Sequence, residues 1–169
     1  MREADQVESL FEESARAERD VAGRLGFQVR QAVELLIAAL SRADLESNGA
    51  LLAAIAPQRV YEAAATVMMR LVFLLFAEER DLLPLDDPFY ADSYAASTLR
   101  EQLDEQAIVE GDEPLERRST AWFRLLALFR AVYAGLDHDR LRIPPYGGRL
   151  FDPDRFPFLE GRKVDESWY

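Results

Sequence analysis

The stretch VYEAAATVMMRLVFLLFA, residues 60–77, decides the fold class of this chain. Only Glu62, Thr66 and Arg70 are polar in it, and their spacing of four places them in one narrow stripe along a helix. A helix that is apolar around the rest of its circumference is expected to be surrounded by protein. The stretch therefore predicts an all-α fold, a multi-helix domain around a buried central helix of about residues 58–83.

Composition narrows the class of protein. The chain has 169 residues, 49% hydrophobic and 30% charged, which is typical of one soluble globular domain. It has no cysteine, which excludes disulfides, zinc–thiolate sites and thiol catalysis. The stretch 60–77 approaches the length of a membrane span, but Glu62 and Arg70 would then lie inside the bilayer. The charged residues 1–20 do not resemble a secretory signal, so we expect a cytoplasmic protein with no membrane partner.

Charge is distributed unevenly along the chain. Residues 78–116 hold 13 acidic and two basic side chains, which equals the whole net charge of −11. Residues 117–163 hold ten basic and five acidic side chains. The first segment would repel phosphate and the second would tolerate it. An ordinary solvated surface of mixed charge is the alternative interpretation.

Turn and helix signals divide the chain into a helical part, residues 1–142, and an extended C-terminal arm, residues 143–169. The arm is rich in proline, glycine and aromatic residues, and we expect its front half to pack on the helical part. Because the chain ends in DESWY without a closing element, we expect it to be a piece of a longer protein with an absent downstream domain. Besides the central helix, the patterns predict helices at 6–25, 27–40, 50–56, 90–103 and 121–134.

Two sequences in the arm resemble catalytic motifs but lack the residue that the chemistry needs. Pro144-Pro145-Tyr146 follows Ile143, whereas adenine methyltransferases place an asparagine there to accept a proton from the flipped base. Residues 153–163 resemble a nuclease metal site, but Arg162 occupies the position of its lysine. The single histidine, His138, is expected in a solvated turn. We therefore assign no catalytic, cofactor-binding or metal-ligating residue, and we expect Glu78 and Glu79 to form ion pairs.

Three segments carry a family resemblance. They read MRLVFLLFAEERDLLP (69–84), AWFRLLALFRAVYAG (121–135) and IPPYGGRLFDPDRFPFLE (143–160). In this order they resemble the helical region ahead of the methyltransferase domain in adenine-specific DNA methyltransferases. Those enzymes are type IIG restriction–modification proteins and related phage-defence proteins of the BREX and DISARM kind. The matching positions are Arg70, Phe73, Leu74, Glu78 or Glu79, Arg80, Pro84, Trp122, Leu125, Phe129, Tyr146, Gly148, Leu150 and Phe151.

The resemblance implies a connector without an active site of its own. The family transfers a methyl group from S-adenosylmethionine with a downstream domain, and some members also carry a nuclease domain. Neither domain lies in this chain, so the implied partners are a downstream methyltransferase domain of the same polypeptide and, through it, double-stranded DNA. A stand-alone protein-interaction module and a nucleic-acid-binding adaptor are the alternatives. Candidate contacts to the DNA backbone are Arg117, Arg118, Arg124, Arg130 and Arg149.

Overall fold

Helices dominate the computed structural model, which describes residue 23, residues 26–110 and residues 120–161. The all-α prediction is confirmed. The helices of the described part are α1 (26–46), α2 (Pro57–Glu79), α3 (Pro88–Ser93), α4 (Ala96–Glu110), α5 (Thr120–Ala134) and α6 (Gly148–Phe151). Strands β1 (Leu136–His138) and β2 (Leu141–Ile143) pair antiparallel between α5 and α6. Two short 3₁₀ turns, Pro153–Arg155 and Pro157–Glu160, follow α6.

Several predicted boundaries differ from the structure. The helix expected at 27–40 includes the helical Gly26 and continues to residue 46. The short helix expected at 50–56 is wrong, because turns occupy residues 47–54. The helix expected at 90–103 is divided into α3 and α4. Asp87 explains why α3 begins at Pro88: its side chain accepts hydrogen bonds from the backbone amides of Phe89 and Tyr90 and so caps the helix. Residues 1–22 and 162–169 lie outside the described part of the chain.

The central helix α2 begins at Pro57, a residue suited to a first turn, and ends at Glu79, four residues before the predicted end. Its end is a Schellman motif. Asp81 takes a left-handed conformation with a φ of 55°, and the amide of Leu82 donates to the carbonyl of Ala77. The backbone turns there, so the helix does not reach Pro84.

The prediction that α2 is buried all round is wrong. One face packs inside the domain through small and branched residues such as Ala63, Ala64, Val67 and Leu74. The opposite face is exposed and apolar. Length and composition would allow α2 to cross a membrane, but 44% of its most apolar stretch is buried inside this fold.

The polar stripe of α2 faces the interior of the domain and not the solvent. Thr66 and Arg70 are buried, and Glu62 is half-buried. The Thr66 hydroxyl donates to the carbonyl of Glu62 at 2.7 Å, which satisfies it within the helix. The Arg70 guanidinium donates hydrogen bonds to backbone carbonyls of the segment that follows β2. A polar side chain can face inward when the fold supplies its hydrogen-bond partners.

The C-terminal arm is part of the core. The expected extended conformation is replaced by α6 and the two 3₁₀ turns, and the division at 142/143 falls inside β2. Phe151 belongs to the larger apolar cluster, between α2, α5 and the hairpin. Phe156, Phe158 and Leu159 form a second cluster with the N-terminal half of α2. The prediction that the front half of the arm packs on the helices is therefore confirmed.

Candidate functional site

The three segments that carry the family resemblance, residues 69–84, 121–135 and 143–160, meet at Arg70. We call them the family-like segments. Its side chain is only 2% exposed. Its Nε donates to the carbonyl of Leu150 at 2.6 Å, and its Nη2 donates to the carbonyl of Asp152 at 3.0 Å. Burial lowers the pKa of the guanidinium from its ordinary value, with the charge of Glu160 acting in the opposite direction. Two N–H groups of one planar guanidinium thus bind two carbonyls of the arm, and this fork fixes the arm against α2.

Aromatic rings enclose the Arg70 guanidinium. Its central carbon lies 5.0 Å from the ring centroid of Phe129 and 5.9 Å from that of Phe151. Phe73, one turn further along α2, meets Phe151 edge to face with a centroid distance of 5.3 Å. The two cation–π contacts stabilise the charge, and the edge-to-face contact holds the Phe151 ring in place. All four residues belong to the positions that carry the family resemblance.

Tyr146 and Trp122 close the junction with three further hydrogen bonds. The Tyr146 hydroxyl donates to the carbonyl of Leu82 at 2.6 Å, and its backbone amide donates to the carbonyl of Val132. The Trp122 indole donates to the carbonyl of Leu159 at 3.2 Å. Each bond joins two different family-like segments, so the three segments form one interlocked unit.

Glu78 organises the other end of α2. It is 2% exposed and accepts hydrogen bonds from the Tyr90 hydroxyl at 2.8 Å and from the amides of Ala96 and Ser97 at 2.7 and 2.9 Å. Those amides open α4, so the carboxylate caps the positive end of that helix. Burial raises the pKa of the Tyr90 hydroxyl, and the nearby Glu78 charge raises it further. The expected ion pair is therefore wrong for Glu78, whose partners are a hydroxyl and a helix terminus.

The structure does not bring the candidate DNA contacts together. Arg117 and Arg118 lie outside the described residues. Arg124 donates to the Gln102 side chain and to the carbonyl of Asp92, which holds it against α3 and α4. Arg130 lies elsewhere on α5 and pairs with Glu160. Arg149 lies on α6 and lines a separate cleft.

That cleft is polar and has a volume of about 510 Å³. Its basic and acidic side chains are equal in number: Arg59, Arg149, Arg155, Glu62, Asp152 and Asp154. Arg59 is engaged, because it pairs with Glu62 and donates to the carbonyl of Arg155 at 2.8 Å. A cleft with balanced charge offers little attraction to a phosphate.

A second cavity, of about 470 Å³, is apolar and lies between α1, α2, α5 and the last 3₁₀ turn. Leu36, Val67, Trp122 and Leu126 contribute to its walls. Its size and lining suit an apolar group of a partner or of a ligand. Among the described residues, no group of three or more histidine or acidic side chains is placed to hold a metal ion.

Ile143 and Tyr146 occupy structural positions. Ile143 is 1% exposed within β2 and pairs with Leu136 in the register of the hairpin. The Pro-Pro-Tyr sequence therefore continues directly from a core strand, and its tyrosine is bonded to the loop after α2.

Comparison with protein-family models, with curated proteins and with solved structures found no match.

The features that sequence reasoning missed are contacts between distant parts of the chain. The Arg70 bonds to Leu150 and Asp152 span 80 and 82 residues. One signal was present: an arginine in the middle of an apolar helix requires acceptors, and a proline-rich segment has backbone carbonyls without a helix partner.

Proposed function

We propose that this chain is the helical connector of a DNA adenine-N6 methyltransferase of the restriction–modification or phage-defence type, acting in the cytoplasm. The observation that supports the proposal most is the Arg70 junction. Five of the positions that resemble the family contact one another across three distant segments: Arg70, Phe73, Phe129, Leu150 and Phe151. Contacts among residues that were grouped by the resemblance support the proposal that the three segments form one functional unit.

The connector would act by holding position. In the proposed parent protein, a downstream domain supplies S-adenosylmethionine binding and methyl transfer, and this chain supplies a fixed base from which that domain starts. The arm leaves the helical part at Ile143 and is held at two places: the Tyr146 hydroxyl bonds to the loop after α2, and the Arg70 fork of α2 binds two arm carbonyls. Such bonds restrict the path of the chain as it leads toward the next domain. Contacts with DNA through Arg124, Arg130 or Arg149 remain a prediction.

The test uses the whole polypeptide encoded by the reading frame that contains this sequence. We expect a downstream strand with a glycine-rich loop and an Asn-Pro-Pro-aromatic motif, and we expect the purified protein to transfer labelled methyl groups to adenine in duplex DNA. The residues 1–169 alone should transfer none. A complete reading frame without those motifs, or with no methyl transfer, would refute the proposal.

A variant tests the connector role itself. Arg70→Ala in the whole protein should lower methyl transfer while S-adenosylmethionine binding is retained, because the cofactor site lies in another domain. Arg140→Gln, on the exposed turn of the hairpin, is the matched control and should retain full activity. Equal activities of both variants would argue against a positioning role for the Arg70 junction.

A further inference from the structure

The described fold leaves one apolar face of α2 exposed. We define the α2 outer face as Tyr61, Ala65, Met68, Met69, Val72, Leu75 and Phe76. Its most exposed members are Tyr61 at 53%, Met69 at 55%, Val72 at 46%, Leu75 at 37% and Phe76 at 50%. They recur at intervals of three and four residues, so they form one continuous stripe along the helix.

We propose that the α2 outer face binds the same face of a second copy of this chain, with the two α2 helices antiparallel about a two-fold axis near Met68 and Met69. The proposal does not depend on the methyltransferase role. It is argued from the area of the face, from the order of side chains along it and from the charges at its ends.

The area agrees with a homodimer. At roughly 200 Å² for each residue, the five exposed fractions leave about 500 Å² of mainly apolar surface. A standard interface buries about 800 Å² on each partner, of which about 57–65%, or roughly 450–520 Å², is apolar. The α2 outer face thus supplies about the whole apolar part of such an interface, and polar residues around it would form the rim.

The order of side chains is self-complementary in the antiparallel arrangement. A two-fold axis between residues 68 and 69 places Ala65 opposite Val72 of the second copy, a small side chain against a larger one. It places Tyr61 opposite Phe76, so that large rings lie at both ends of the face, where crossed helices diverge. The flexible side chains of Met68 and Met69 fill the centre.

The ends of the face select the antiparallel orientation over the parallel one. Gln58 and Glu79 are exposed at opposite ends of α2. In the antiparallel pair the Gln58 amide can donate to the Glu79 carboxylate of the second copy, whereas a parallel pair would place two Glu79 carboxylates together. The opposed helix dipoles favour the same orientation.

Mass measurement is the first test. At tens of micromolar, sedimentation equilibrium of the 169-residue chain should give twice its 19.3 kDa mass. Met69→Glu should weaken association by roughly 100-fold, because the two-fold axis introduces the charge twice. Leu45→Glu is the control: Leu45 is 77% exposed and lies on α1, which does not contribute to the α2 outer face, and its variant should remain dimeric. Circular dichroism establishes that both variants are folded.

Cross-linking tests the orientation, since the natural chain has no cysteine. Under mild oxidation or with a short thiol cross-linker, Met69→Cys should form covalent dimers. Tyr61→Cys alone should not, but a mixture of the Tyr61→Cys and Phe76→Cys chains should cross-link to each other. A single-chain mass at all concentrations, a Met69→Glu variant that associates as tightly as the natural chain, or rapid self-cross-linking of Tyr61→Cys would each overturn the proposal.

Discussion

Glu78 and Glu79 are neighbours in sequence with opposite environments, and they provide a matched test of the fold. Glu78 is buried and accepts three hydrogen bonds, whereas Glu79 is exposed. We predict that Glu78→Ala destabilises the domain strongly and that Glu79→Ala changes its free energy of unfolding by less than about 0.5 kcal/mol.

The magnitude follows from the three lost bonds. A hydrogen bond to a charged group contributes about 1.5–3 kcal/mol, and losing a helix cap costs about 1 kcal/mol. The bonds share one carboxylate, so their contributions do not add fully, and the buried charge carries a desolvation cost in the native protein. We therefore expect a loss of about 3–5 kcal/mol for Glu78→Ala. In a domain of this size that corresponds to a decrease in melting temperature of roughly 6–20 °C.

Urea denaturation followed by circular dichroism measures the difference. Glu78→Gln should fall between the natural chain and Glu78→Ala, because the amide retains one acceptor but presents an NH₂ group to the donors of α4. The reasoning would be refuted if Glu78→Ala lost less than about 1 kcal/mol, or if Glu79→Ala lost as much as Glu78→Ala.

Three other perturbations follow from the same structure. Arg70→Met should cost about 3 kcal/mol and hasten tryptic cleavage at Arg149, because two arm carbonyls lose their donor; unchanged proteolysis would contradict it. Since the Tyr90 pKa is raised on folding, its stabilisation is complete below about pH 10 and is lost above it by up to about 1.4 kcal/mol per pH unit. The natural chain should therefore lose stability above pH 10 more steeply than Tyr90→Phe, and equal slopes in denaturation titrations would oppose this. Phe73→Ala and Trp122→Ala should each cost about 2–3 kcal/mol, less than the 3–5 kcal/mol of full core positions, because both side chains are partly buried; melts that match the natural chain would show that neither contributes to the core.

The sequence was sufficient to predict α2 and the all-α class, because eighteen residues with three polar positions allow few other interpretations. It did not determine which side of α2 faces inward. Both sides of the helix are apolar, so periodicity groups Thr66 with Arg70 on one side but cannot orient that side. The orientation depends on Leu150 and Asp152, which supply the acceptors for Arg70 from 80 residues away.

The candidate site was predictable as a pattern of residues but not as a geometry. Phe129 and Phe151 belong to the positions that carry the resemblance, and nothing in their spacing indicates that both rings lie against one arginine. Likewise, no periodicity distinguishes Glu78 from Glu79. The distinction arises because α4 starts beside Glu78, after a turn whose path is set by the left-handed Asp81.

The Arg70 junction has a consequence for the proposed connector role. A buried guanidinium has lost its water, and it is tolerated only while both carbonyls remain within hydrogen-bond distance. A displacement of the arm by one or two ångströms would leave the charge unsatisfied at a cost of several kcal/mol, so α2 and the arm should move together. A chain that links two domains gains positional accuracy from such a contact, because an apolar contact of the same area has no preferred direction. The arginine in an apolar helix is therefore better explained by control of the arm's position than by stability alone, and Arg70→Met tests it through proteolysis at Arg149.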